Sequence, residues 1–213
     1  MKLYFVRHGQ TYLNKYGKMQ GWSDSPLTTD GENVAKKTGQ RLKDVPFVAL
    51  YTSDLGRTIQ TAKIISTANN FISPKDIQPL EELRETFFGS FEADYGKDVY
   101  PKIAEKVGIP VEQLFGKLSL NEISTYMKEL DPYGDVETAE EFKSRLYKGL
   151  DIITNADYEA SEPVILIVTH GNTIRHLVKE VSPETKVSVE IENSSITIID
   201  YKNGVFKLEA FNT

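Results

Sequence analysis

The 213-residue chain has no cysteine. That excludes a disulfide framework and any cysteine-ligated metal site. Histidine is scarce too, at three residues, and there is a single tryptophan. No apolar run approaches the length needed to span a bilayer. The N-terminus lacks a basic segment followed by a long apolar one, so no signal peptide is expected and the expected location is cytoplasmic. Excess positive charge is also missing: 25 Lys+Arg stand against 31 Asp+Glu, a net charge of −6. The general basic footprint of a nucleic-acid binder is therefore absent, and neither nucleic acid nor membrane is an expected partner. A small phosphorylated ligand stays compatible with this balance, because a few local arginines outweigh a mildly acidic surface. What is present, 39% hydrophobic and 26% charged residues, is the balance of a soluble globule long enough for one sizeable α/β domain.

The first strong signal is Leu3-Tyr4-Phe5-Val6-Arg7-His8-Gly9. An apolar, β-favouring run over 2–7 ends in a cation, an imidazole and a glycine that would let a ligand approach the backbone. Residues 8–28 read as a long polar loop. Thr28 or Thr29 can cap a following helix that carries Val34, Ala35, Thr38, Gly39 and Leu42 at helical spacing and ends at Asp44 and Pro46. Phe47–Ser53 is a second strand, running into Asp54-Leu55-Gly56-Arg57-Thr58 and then a helix with Ile59, Ala62, Ile65 and Ala68 on one face. Ile77–Leu80 is a short strand. Residues 93–135 lack strand character and read as a helical insertion, with pieces near 98–107, 111–116 and 120–130. A helix covers 138–155. Pro163–Thr169, the most apolar run, is expected to be a central strand buried on both faces, and it ends in His170-Gly171-Asn172 before a helix to about 181. Lys202-Asn203-Gly204 between two alternating runs signals a hairpin. No linker divides the chain, so residues 1–213 are expected to form one domain.

If strands and helices alternate in a mainly parallel sheet, the turns at Arg7-His8-Gly9, Ser53–Arg57 and His170-Gly171-Asn172 share one sheet edge. Ligands bind beyond the carboxyl ends of such strands. Two arginines, two histidines and two helix N-termini would meet there, and both arginines and helix N-termini suit phosphate oxygens. The expected chemistry is phosphoryl transfer to His8, with Arg7 and Arg57 disfavouring imidazolium and steadying the equatorial oxygens. An isolated histidine in such a place is as readily structural, and His176 is expected to be a surface or packing residue. The Glu-rich run from Glu81 offers Glu82, Glu85 and Glu92 as acids, without choosing among them. The aromatics of 87–133 are expected to pack rather than to form a substrate platform.

Leu3–Asn14 with Arg7-His8-Gly9, Ser53–Ala62, Leu83-Arg84-Glu85 with Phe88-Gly89, and His170-Gly171-Asn172 together resemble the histidine phosphatase superfamily, which includes cofactor-dependent phosphoglycerate mutases and related phosphatases. The resemblance implies a three-layer α/β/α fold with a mixed, mainly parallel sheet and a helical insertion over about 93–135. It implies His8 as nucleophile, and Arg7, Arg57 and His170 as the phosphate pocket, with Asn14 as a further donor. Glu85 becomes the general acid and base. Gln20 and Gly21 fall at a loop position that touches the transferred group, and Gly171 and Asn172 open a helix whose N–H groups face phosphate. No metal or other cofactor is required, since arginines supply the positive charge.

The family divides into phosphatases and mutases. A mutase must hold a second anionic group, and phosphoglycerate mutases are expected to show a Glu-Arg-His-Tyr-Gly stretch and an Arg-Arg pair in the insertion. Here the first reads Glu85-Thr86-Phe87-Phe88-Gly89, and residues 93–135 hold five lysines and no arginine. Hydrolysis of a small phosphomonoester is the expected reaction. Phosphoglycerate mutase is the alternative, and a non-catalytic phospho-ligand binder is a third.

Overall fold

The computed structural model describes residues 1–187 and 190–213. Six strands form one sheet among the described residues: β1 (Lys2–Arg7), β2 (Ala49–Thr52), β3 (Ile77–Pro79), β4 (Val164–Thr169), β5 (Ile196–Lys202) and β6 (Val205–Ala210). Their spatial order is β3-β2-β4-β1-β5-β6. The first four run parallel, whereas β5 is antiparallel to β1 and to β6. The helices are α1 (Tyr12–Lys15), α2 (Thr29–Arg41), α3 (Gly56–Ala68), α4 (Gly96–Val107), α5 (Leu114–Lys117), α6 (Leu120–Leu130), α7 (Ala139–Thr154) and α8 (Gly171–Val181).

Strand side chains alternate between faces, and the two faces are filled by different helices. Leu3, Phe5, Ile165 and Ile167 pack with Phe142, Leu146 and Leu150 of α7 and Ile174 and Leu177 of α8. Val6, Leu50, Leu166 and Val168 pack with Leu42, just past α2, and with Ala62 and Ile65 of α3. This is the expected three-layer α/β/α arrangement, and β1 and β4 sit at its centre. Each of these aliphatic or aromatic side chains contributes roughly 1.5–3 kcal/mol by leaving water. His176 is a packing residue, its ring 4.7 Å from that of Phe142.

The 93–135 segment is helical, as expected, and has its own small core. Val99, Ile103 and Ala104 of α4 meet Leu114 of α5 and Ile123 and Met127 of α6, together with Met19, Phe88 and Phe91 from the body of the molecule. Met19 N–H donates to the Asp94 carbonyl at 2.8 Å, which ties the insertion to the 8–28 segment.

Several local expectations need correction. The 8–28 stretch is not a loop throughout: Thr11 caps the single turn α1 in a reciprocal box with Asn14. Thr28, rather than Thr29, caps α2, its side chain accepting from Gly31 N–H. That helix ends at Arg41, ahead of Asp44 and Pro46, because the chain must turn so that Phe47 enters the core and strand pairing can begin at Ala49. The hairpin is found where expected, with Asn203 and Gly204 both at positive φ, which a type I′ turn requires.

Candidate active site

Parallel pairing sets the site. Arg7 lies opposite Thr169 and Thr52 opposite Val168, so the chain leaves the sheet at His8, Ser53 and His170 along one edge. His8 N–H continues the ladder to the Thr169 carbonyl at 2.9 Å, and Ser53 N–H does so to the Val168 carbonyl at 3.2 Å. The rings of His8 and His170 stand 5.3 Å apart.

His8 is buried, and its Nδ1 lies 2.8 Å from the Gly9 carbonyl. A carbonyl only accepts, so Nδ1 carries the proton and Nε2 keeps its lone pair. Burial lowers the imidazole pKa well below its ordinary 6.5, and the Arg57 and Arg7 guanidiniums lower it further. The main chain around it is fixed: Asn193 Nδ2 donates to the His8 carbonyl at 2.9 Å, and Gly9 N–H donates to Thr61 Oγ1 at 3.0 Å. Gly9 is glycine for a different reason from the expected ligand approach. A Cβ there would stand 2.8 Å from the Gly31 carbonyl oxygen in the first turn of α2. The close approach is to a helix, and the turn after β1 is held rigid by it.

Arg57, at the start of α3, is fully buried. Its Nη1 donates to the Ser23 carbonyl at 2.8 Å and to Asp24 Oδ1 at 3.1 Å. Its Nη2 donates to the Gly21 carbonyl at 2.6 Å and lies 3.0 Å from His170 Nδ1. An arginine only donates, so His170 accepts at Nδ1 and carries its proton on Nε2, which donates to Ser53 Oγ at 2.8 Å. Ser53 in turn meets Thr58 Oγ1 at 2.8 Å. Both His170 nitrogens are thus used within the protein, and burial, reinforced by Arg57, keeps the ring neutral by pushing its pKa well below 6.5. Arg7 reaches the Ile191 carbonyl and, at 3.3 Å, Glu190. Gly171 lies alongside the Arg7 guanidinium. The Nε atoms of Arg7 and Arg57 are buried and have no hydrogen-bond partner among the described residues.

Glu85 is buried and lines a cleft together with Arg7 and Gly171. Its Oε1 accepts from Thr86 N–H at 2.8 Å, and its Oε2 accepts from Asn172 N–H, in the first turn of α8, at 2.9 Å. Burial raises its pKa above the ordinary 4.5, although those two N–H groups and the charges of Arg57 and Arg7 pull against the rise. The other two glutamates have different duties. Glu82 pairs with Lys148 at 2.7 Å. Glu92 accepts from the N–H groups of Gly21, Trp22, Ser23 and Phe88 at 2.8–3.1 Å, pinning the loop that holds Arg57.

The cleft has a volume of about 450 Å³, and Arg7, Asn14, Gln20, Glu85, Gly171 and Asn172 line it. Asn14 also takes the Thr11 N–H at 3.2 Å through Oδ1. Gln20 is held by Thr11 Oγ1 at 2.6 Å. His8, Arg57 and His170 lie behind this lining rather than in it, and so does Gly21, whose carbonyl goes to Arg57 and whose N–H goes to Glu92. Further residues line it that were not assigned to the site from the sequence, among them Lys18. Tyr100 of α4 faces the cleft, as does Phe115 of α5 in edge-to-face contact with it at 5.0 Å, so some insertion aromatics do form a wall. Arg175 of α8 is also there. Its signal was available: it falls one helical turn after Gly171 and Asn172 and therefore on their face.

A model of the histidine phosphatase superfamily (branch 1) matches residues 3–213. A Bacillus subtilis (strain 168) protein named uncharacterized phosphatase PhoE is 29% identical over 97% of this chain and 92% of its own. A Yersinia enterocolitica protein named probable phosphoglycerate mutase GpmB is 30% identical over 95% of this chain and 86% of its own. Among solved structures, a phosphoglycerate mutase from Bacillus anthracis str. Sterne superposes with a TM-score of 0.90 at 30% identity, covering 100% of this chain and 92% of its own. With a buried histidine at the carboxyl edge of the sheet, its pKa lowered by burial and by the charges of two arginines, and a family match across residues 3–213, the chain belongs to the histidine phosphatase superfamily, branch 1.

Proposed function

We propose that the protein hydrolyses a small phosphomonoester through a phosphohistidine on His8. The observation that carries this is the tautomer of His8: Nδ1 is spent on the Gly9 carbonyl, which leaves the Nε2 lone pair for phosphorus, while the charges of Arg57 and Arg7 act on the ring. In the first step Nε2 attacks phosphorus, the N–P bond forms and the ester P–O bond breaks. Glu85, whose pKa burial raises, gives a proton to the leaving oxygen when it carries one. In the second step Glu85 takes a proton from water, the water oxygen attacks phosphorus, and the N–P bond breaks to release phosphate. Arg7 and Arg57 hold the charge that spreads over the equatorial oxygens in both steps. His170 acts here mainly by fixing the Arg57 fork.

Hydrolysis is favoured over mutase chemistry because the insertion gives the cleft Tyr100 and Phe115 and none of its five lysines. Two cations support the mutase alternative: Arg175 of α8 and Lys18 both line the cleft. A panel of phosphorylated acids, sugars, alcohols and an aryl phosphate separates the two. Release of inorganic phosphate without a bisphosphate primer is expected. Primer-dependent interconversion of 2- and 3-phosphoglycerate, with little phosphate released, would make the protein a mutase. Tight binding without any turnover would make it a binding protein.

The same groups set the pH dependence. His8 must be neutral, and its pKa lies well below 6.5. Glu85 must be protonated for the first step, and its pKa lies above 4.5. Consequently kcat/KM rises with pH as His8 loses its proton and falls as Glu85 loses its own, giving a bell-shaped profile. Glu85→Gln is expected to remove the alkaline limb. An alkaline limb that persists unchanged in Glu85→Gln would contradict the assignment.

A further inference from the structure

Glu85 sits in a segment with little secondary structure of its own: one 3-10 turn at Glu81–Leu83, then extended chain. Its carboxylate is held by the N–H groups of Thr86 and Asn172, but the backbone that carries it needs support from outside the segment, and the hydrogen bonds show where that comes from. Arg145 projects from the middle of α7 across this segment. Its Nη1 donates to the carbonyls of Glu82 at 3.0 Å, Arg84 at 2.9 Å and Glu81 at 3.4 Å. Its Nη2 donates to the carbonyl of Glu85 itself at 3.1 Å. The guanidinium is oriented in turn by a two-point pair with Glu137, Nε to Oε1 at 2.9 Å and Nη2 to Oε2 at 2.8 Å. Glu137 also accepts from Phe87 N–H at 3.1 Å, closing the grip on the far side of Glu85.

A second contact reaches the same carbonyl from the phosphate side. Trp22 Nε1 donates to the Glu85 carbonyl at 2.9 Å. The Trp22 ring lies against Arg84, 4.5 Å from its guanidinium carbon, and against Arg145 at 5.8 Å. Trp22 follows Gly21, whose carbonyl holds Arg57. Glu85 and Arg57 are therefore joined through the Gly21–Trp22 pair, by the Gly21 carbonyl on one side and the Trp22 indole on the other. Neither Arg145 nor Glu137 lines the cleft, and the pair shows 16% and 10% exposure. A solvated ion pair would account for none of the four carbonyl bonds.

We propose that Arg145, held by Glu137, is a positioning residue for the general acid: it fixes the Glu81–Glu85 backbone so that the Glu85 carboxyl meets the leaving oxygen. The inference rests on Glu85 being the acid. Its signature is a dependence on the leaving group. An alkoxide needs a proton as it departs, whereas p-nitrophenolate needs little help. A shift of about 1 Å in a catalytic group costs on the order of 10²-fold, and general acid catalysis supplies about 10²–10⁴-fold.

The experiment compares kcat/KM, which stops at phosphorylation of His8, for glycerol 3-phosphate and p-nitrophenyl phosphate. Arg145→Gln is expected to lose about ten- to hundred-fold more on the alkyl ester than on the aryl ester. Glu85→Gln is expected to show the same asymmetry at greater depth. Equal losses on both esters for Arg145→Gln, with the asymmetry intact in Glu85→Gln, would reduce Arg145 to a structural residue. Loss of the asymmetry in Glu85→Gln as well would overturn the acid assignment instead. Arg145→Lys keeps the charge without the fork and serves if the glutamine variant does not fold. It is expected to show the same asymmetry at smaller amplitude, and equal losses on the two esters there would likewise leave Arg145 a purely structural role.

Discussion

Replacement of His8 by alanine is expected to lower kcat by about 10⁵-fold, because removing a covalent nucleophile leaves only binding and electrostatic stabilisation. The effect should be confined to chemistry. Among the described residues the His8 side chain makes one hydrogen bond, to the adjacent Gly9 carbonyl, and the His8 and Gly9 main-chain atoms are held by the Thr169 carbonyl and the side chains of Asn193 and Thr61. The variant should therefore fold normally and bind a phosphate ester while failing to turn it over. A drop of less than about ten-fold would mean that water is activated directly and that no covalent step is needed.

Arg57→Met is expected to damage both activity and stability. The side chain is fully buried, and its four contacts at Nη1 and Nη2 satisfy the Ser23 and Gly21 carbonyls, Asp24 and His170 Nδ1. Methionine fills much of the volume and satisfies none of them. Leaving these acceptors without donors costs ~3 kcal/mol, even with Asp24 partly solvated. For a chain of this size that amounts to a fall in Tm of about 6–12 °C. Under the proposed mechanism, loss of the Arg57 charge and of its Nε–H, unpartnered among the described residues, should lower kcat by about 10³-fold. Arg57→Lys restores the charge but not the fork, and should recover more stability than activity. Thermal melts and steady-state kinetics on the two variants check this. Wild-type Tm together with activity within about ten-fold would place Arg57 outside the phosphate pocket.

The meeting of residues 7, 8, 57 and 170 was legible because each follows a short apolar run, and parallel strands put such exits on one edge. The family motif then singled out Glu85 from a run that otherwise reads as a solvated face. Reasons, as opposed to positions, were harder to read. Gly9 invites a ligand in the sequence, but its neighbour is Gly31, which only the packing of α2 against the β1 turn brings near. Glu92 looks like a rival acid until four backbone N–H groups are found on it. Arg145 carries no local signal, since its carbonyl partners are far away in the chain and α7 has to dock before they meet. Gly21, matched to a phosphate-contacting position, instead serves Arg57 with its carbonyl. In each case the deciding contact is long-range, and neither helical nor strand periodicity encodes it.

Covalent chemistry at one imidazole is the central claim, and trapping tests it most directly. The enzyme would be mixed with a ³²P-labelled phosphomonoester that it turns over, quenched in alkaline detergent within the first turnovers, digested and mapped. The account predicts label on the peptide containing His8, stable in alkali, lost in acid and absent from His8→Ala. Turnover that proceeds with no label on the protein, or with label on another residue, would contradict it.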